Sequence, residues 1–341
     1  MEIQKVKIVC PILHLDIDTP IEKFIWTGLQ IRPAGDPSLI QEFAEFEFLE
    51  YFGRRALTEI ASHSCFFLSC SYEDALKMLN VKSATGHKLA ELFNANFFTF
   101  FLHAFLQKDN SFFVHNCYLV VNNFDFFYLN VKAEFLSTAS GTFNATKFSA
   151  DEFEEMARII GDWSRIAMIE KRAEVKEEEE DGSTGEITAK VNIGPLNRRP
   201  LDQNRLYRAF QILPLARRDS FLPIKISYYI VLLECLLSME DNAELSHKVS
   251  ERVAFLLGGD TEEKKQNFKL IKDCYTIRSK FVHGQKLMKS KNQPMTYEDM
   301  FKTSIQLDDI VRRVLNAAVQ NKDTFLDNDA LQKHFNNLMF A

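Results

Sequence analysis

Apolar and polar residues alternate over 5–17 well enough for a β-strand, with Pro11 marking a break or an edge position. A second short strand fits 24–31. The stretch 39–62 has no single period, because Phe43, Phe46, Phe48, Leu49 and Phe52 crowd together, and helix and strand both stay open there. Ser71 with Asp74 forms a capping-box pattern that opens a short helix through Leu79, and another helix begins after Thr85. From Phe97 the text turns aromatic and β-branched around two turn signals, Asp109-Asn110 and Asn122-Asn123, which predicts a hairpin or meander over about 98–135. Core packing is the plain reading of these aromatic stripes, and a base-stacking surface is the alternative. Ser149 and Glu152 make another capping box, opening a helix whose apolar face carries Phe153, Met156, Ile160, Trp163 and Ala167.

That helix runs into a like-charge block, Glu177 to Asp181, followed by Gly182 and Ser183, the composition of a solvated linker. The pattern beyond it is helical throughout. Helices are predicted over 204–217, where Pro214 kinks or ends the first, over 220–239, apolar all round, and over 244–257, stopped by Gly258-Gly259. Thr261 can cap a long helix reaching His283, with Gly284 just past its end. Thr296 and Asp299 box a helix to about 321, and 329–339 gives a last short one. The expectation is an α+β domain over 1–173, a linker over 174–200 and an all-α bundle over 201–341.

Composition narrows the function classes. Glycine is scarce, 12 of 341 residues, and neither GxGxxG nor GxxxxGK[ST] occurs, which counts against glycine-rich phosphate cradles; no cofactor is expected. His63, Cys65 and Cys70, or His115 and Cys117, lack metal-site spacing, and the six scattered cysteines read as structural thiols of a reducing cytoplasm. No metal is expected. The start of the chain lacks a signal-peptide pattern, and the apolar runs near 97–106 and 226–239 are too short for a membrane span. The net charge of −6 hides an asymmetry: 20 basic and 29 acidic residues before 201, then 21 and 18. Between 264 and 291 stand nine basic residues and one acidic residue, Asp273. Such a run reads as a solvated helix face or, beside a phosphate-binding motif, as a footprint for a polyanion.

That motif is Arg278-Ser279-Lys280-Phe281-Val282-His283-Gly284. Together with Leu233-Glu-Cys-Leu-Leu237, with the helix from Glu244 to Leu257, and with Tyr275-Thr-Ile ahead of Arg278, it resembles the Apea-like branch of the HEPN domains over about 140 residues. The resemblance implies an all-α domain that dimerises and often acts as a metal-independent RNase in phage defence or toxin systems. It implies Arg278 and His283 as catalytic, with Glu234 at the acidic position of an early helix orienting one of them. A buried structural salt bridge is the other reading of Glu234, and a helix-terminal ion pair that of the Arg/His pair. Ser279 stands where many such nucleases have Asn, Asp or His, and its hydroxyl can still bond phosphate. Gln285 stands where toxins silenced by adenylylation place a tyrosine, so that control is not carried over.

The chemistry is consistent with the resemblance. Imidazole titrates near ~6.5, so His283 can take or give a proton at neutral pH. Guanidinium matches phosphate oxygens as a bidentate fork. Five residues on a helix mean about 140° of rotation and roughly 7.5 Å of rise, so one chain holds half a site and a two-fold dimer completes it. Lys272, Lys280 and Lys286 are candidate substrate contacts, joined by His247, for which packing or capping is the plainer reading. The expected protein is a cytoplasmic, homodimeric RNase toxin or anti-phage effector. Its partners would be RNA and a phage-derived or cognate regulator at the N-terminal domain, with no membrane. The alternative is a non-catalytic module of the same kind binding nucleotide, RNA or protein.

Overall fold

A computed structural model of the chain describes residues 3–161 and 204–340, apart from 23, 26–27, 123, 132–134, 240–243 and 291. It divides into two units, an α+β unit over 3–135 and 143–160 and a mostly helical unit over 136–142 and 204–340. The acidic block, the expected boundary at 174–200, Trp163 and Ala167 lie outside the described residues.

The first unit begins with strands β1 (Lys5–Leu13), β2 (Leu15–Asp16) and β3 (Leu29–Arg32), then helices α1 (Pro37–Phe43) and α2 (Phe46–Ser62). Strand β4 (Ser64–Ser71) leads into α3 (Tyr72–Leu79) and α4 (Gly86–Gln107). Strands β5 (Phe113–Val114), β6 (Asn116–Val121), β7 (Phe126–Val131) and β8 (Thr146–Lys147) follow, and 150–161 form α5. The antiparallel sheet runs β3-β4-β1-β6-β7, with β5 also on β1. Pro11 falls where the partner of β1 changes from β6 to β5, a place that tolerates a residue without an N–H.

The undecided stretch 39–62 is helical. Phe43, Phe48 and Phe52 interlock at ring separations of 5.3 and 4.9 Å and pack with Val9, Cys65, Tyr118 and Val120 on one face of the sheet. On the other face Phe66 stacks on Phe97 of α4 at 4.4 Å, so β1 is buried on both sides. The capping signals at Ser71, Thr85 and Ser149 sit where the pattern put them. The expected hairpin over 98–135 needs correcting, since 98–107 is the second half of α4 and the strands start at Phe113. That helix has 22 residues and is long and apolar enough to cross a membrane, which also corrects the run length expected from the sequence; most of it is buried. Cys10, Cys65, Cys117 and Cys274 are buried free thiols, and burial pushes the Cys70 thiol up to about 11.

The second unit comprises α6 (Arg205–Arg218), α7 (Leu222–Leu237), α8 (Leu245–Leu257) and α9 (Thr261–Val282). A short hairpin follows, β9 (Met288–Ser290) with β10 (Gln293–Pro294), then α10 (Tyr297–Gln320), α11 (Lys322–Leu326) and α12 (Asn328–Phe340). The part is thus not helical throughout. Pro214 sits inside α6 without ending it, and α9 is capped by Asp260 in a full capping box with Glu263, not by Thr261. The apolar α7 lies against α6, α8, α9 and α10.

Residues 136–142 belong to this helical unit although they precede α5 in sequence. Ser137 donates its N–H to the Arg217 carbonyl at 2.7 Å and its hydroxyl to the Asp219 carbonyl at 2.8 Å, and Ser304 Oγ donates to the Ala139 carbonyl at 2.6 Å. Gly141 has φ +75°, and a Cβ there would meet the Ser220 carbonyl oxygen at 2.3 Å. Gly141→Ala should therefore destabilise this unit by at least ~1 kcal/mol, read as a lower denaturant midpoint. Asp299, which boxes α10 with Thr296, is held down to about 2 by Lys289 first and Thr296 second. Its folded pKa lies below the ordinary ~3.9, so its contribution is complete above that value and is lost as pH falls towards 2. An NMR titration should place the carboxyl midpoint near 2, and Lys289→Ala should move it up.

Candidate functional site

Helix α9 carries the motif because Asp260 satisfies its first N–H groups and Ile271, Cys274 and Ile277 form a narrow buried stripe that seats it on the bundle. Its other end is a Schellman turn. The Gln285 N–H donates to the Lys280 carbonyl at 2.8 Å, the Gly284 N–H to the Phe281 carbonyl at 3.1 Å, and Gly284 takes φ +65°. His283 is the C-cap residue. Its N–H donates to the Ser279 carbonyl at 3.1 Å, and its residue is exposed. The turn thus fixes the backbone of His283 and leaves the imidazole to solvent.

Arg278 is anchored from a neighbouring helix. Its Nη1 donates to Glu234 Oε1 of α7 at 2.5 Å, with the two side chains 31% and 16% exposed. Tyr275 lies one turn earlier on α9, and its buried hydroxyl makes no hydrogen bond of normal geometry. Burial first, and the negative charge of Glu234 second, push its phenol well above the usual range. Glu234 therefore faces one cation and one neutral phenol. The carbonyls at the end of α7 are held in turn by Arg205, on Leu236 and Ser238 at 3.0 Å each, and by Arg252, on Leu237 at 2.5 Å.

The other expected residues are distributed. Ser279 is exposed beside Arg278, and Lys286 is exposed just past the turn. Lys280 lines a cleft between α9, the hairpin and α10. Lys272 donates to Ser246 Oγ of α8 at 3.1 Å, and His247 sets its ring edge-on to Phe268 at 5.2 Å. These two residues tie α8 to α9 roughly 9 Å or more along the axis from Arg278, and they are not gathered with it. Tyr275 stands three residues before Arg278, but its role is not legible in the sequence, because nothing local shows which carboxylate it meets. In the first unit His63 Nδ1 meets the Glu59 carbonyl at 2.9 Å and Cys65 Sγ the Ile60 and His63 carbonyls, and among the described residues no three His, Cys, Asp or Glu side chains gather as metal ligands.

No protein family, characterised protein or solved structure matches this chain.

The geometry makes the Glu234–Arg278 pair separable from the exposed histidine. Glu234→Ala should lower stability by about 1–2 kcal/mol, because it leaves a partly buried guanidinium unpaired. A double-mutant cycle with Arg278→Ala in urea should return a coupling of about 1 kcal/mol, and additive single effects would show that the pair contributes nothing.

Proposed function

We propose that the helical unit is a HEPN-type endoribonuclease domain that cuts RNA without needing a metal ion, and that Arg278 and His283 are its catalytic pair. The observation that carries this is the presentation at the end of α9. Glu234 orients the guanidinium while the Schellman turn holds an exposed imidazole five residues on. In the reaction a base takes the proton of the ribose 2′-hydroxyl, the 2′-oxygen attacks phosphorus, the bond to the 5′-oxygen breaks, and an acid protonates that oxygen. Imidazole serves either proton transfer, and guanidinium pairs with the phosphate oxygens as negative charge builds.

One chain offers one imidazole, and two transfers call for two. A homodimer with the two α9 ends facing each other supplies both, and the surface suits this. Phe221 and Val282 are 54% and 66% exposed, and Phe221 contacts Phe281 at 5.7 Å, next to His283. A cytoplasmic toxin or anti-phage effector, with the α+β unit answering to a phage-derived or cognate regulator, is the setting the motif resemblance suggests. A second reading has a specific observation in its favour: the Glu234 carboxylate already neutralises Arg278, as in a structural pair, and a non-catalytic module binding nucleotide, RNA or protein would need no more.

Incubating the purified chain with total RNA and tRNA in EDTA decides between them. Cleavage that falls by about 100-fold or more in both Arg278→Ala and His283→Ala, each shown to be folded at the assay temperature, is the expected result. Intact RNA from a dimeric wild type, across several RNAs, would leave the binding reading.

A further inference from the structure

We propose that the cleft between α9, the β9–β10 hairpin and the first turns of α10 binds a phosphorylated nucleoside unit. The hairpin, closed by the Met295 N–H on the Leu287 carbonyl at 3.0 Å, walls a space of about 570 Å³ against the two helices. That is the size of a small-molecule site, and the chemistry is split. Ile277, Met288 and Met295 give an apolar side against which a flat base can lie. Three lysines, Lys280, Lys289 and Lys302, line the same space.

The cations are not equivalent. Lys289 is taken up by Asp299 at 2.6 Å, and Lys302 shares Glu298 at 3.2 Å across the exposed surface, a weak pairing that a phosphate can displace. Lys280 has no acidic partner among the described residues. Phosphate thus goes to Lys280 and Lys302, away from Asp299, whose carboxylate is already satisfied by Lys289 and Thr296. Asp273, exposed two turns before Lys280 on α9 and with no ion pair of its own among the described residues, is an acceptor for ribose hydroxyls. A bare phosphate would leave the apolar side unused, and an apolar ligand would leave Lys280 without an anion.

The unit can be a free nucleotide or one residue of an RNA strand, and the test separates the two. The full-length protein is titrated calorimetrically with ATP, with GTP and with a short single-stranded RNA, and Lys280→Ala and Lys302→Ala are compared with wild type after their melting temperatures are shown to match. Loss of a charged hydrogen bond should weaken binding about tenfold in each variant. That loss with ATP or GTP identifies a free nucleotide, and that loss with RNA alone identifies a strand; either supports the cleft. Affinities unchanged in both variants, or no binding of any of the three, overturn it. The nuclease reading fails separately, since it rests on cleavage and on Arg278 and His283 rather than on binding at Lys280 and Lys302.

Discussion

The helical unit depends on one buried carboxylate. Asp308 of α10 is fully buried, and an isolated charge there would be prohibitive. Among the described residues, donors from three helices answer it: Tyr229 of α7 through its hydroxyl at 2.6 Å, Arg312 of α10 at 2.6 Å and Arg217 of α6 at 3.3 Å. The Arg217 carbonyl in turn receives the Ser137 N–H, and buried Lys225 donates to the Ala216 carbonyl at 3.1 Å. Removing one partner of such a cluster leaves uncompensated charge, at a cost of roughly 3–5 kcal/mol. The cluster therefore fixes the rotation of α7 as well as its position. Tyr229 and Glu234 are five residues apart, about 140° around that helix, so holding Tyr229 on α10 turns Glu234 to α9.

The consequence reaches the motif. An arginine on the exposed half of a surface helix would sample many rotamers, and ordering it costs up to about 2 kcal/mol of side-chain entropy. Glu234 removes most of that freedom in advance, with Tyr275 filling the space beside it. His283 is ordered differently, through backbone hydrogen bonds of the turn alone. One member of the pair is fixed at the side chain and the other at the main chain. Such an arrangement suits a partner or substrate that completes the site from outside.

Local signals are the most legible in this chain. Ser71, Thr85, Ser149, Thr296 and Gly284 each act on groups within a few residues, so their patterns predict their geometry directly. The start of α4 after Thr85 is legible, but its second half, 98–107, reads as β because Phe93, Phe97, Phe100, Phe101 and Phe105 are buried along a helix that is apolar nearly all round, which erases the 3.6-residue period and leaves β-like aromatic propensity as the only local cue. The cap of α9 went to the neighbouring residue, since Asp260 can complete the box with Glu263. The β9–β10 hairpin left no trace in hydrophobicity, because two and three residues are too few to show a period.

The sequence by itself determined an α+β part followed by a mostly helical one, the run of charge along α9, and the spacing of Arg278 and His283, all of which are properties of neighbours along the chain. Tertiary structure alone decided that Glu234 meets Arg278 rather than His283 and lies beside Tyr275, that 136–142 joins the helices, and that Lys280 lines a cleft while Lys272 bonds Ser246. These pairings join residues 26 to 165 positions apart, and they follow from how buried charge and apolar faces are satisfied together.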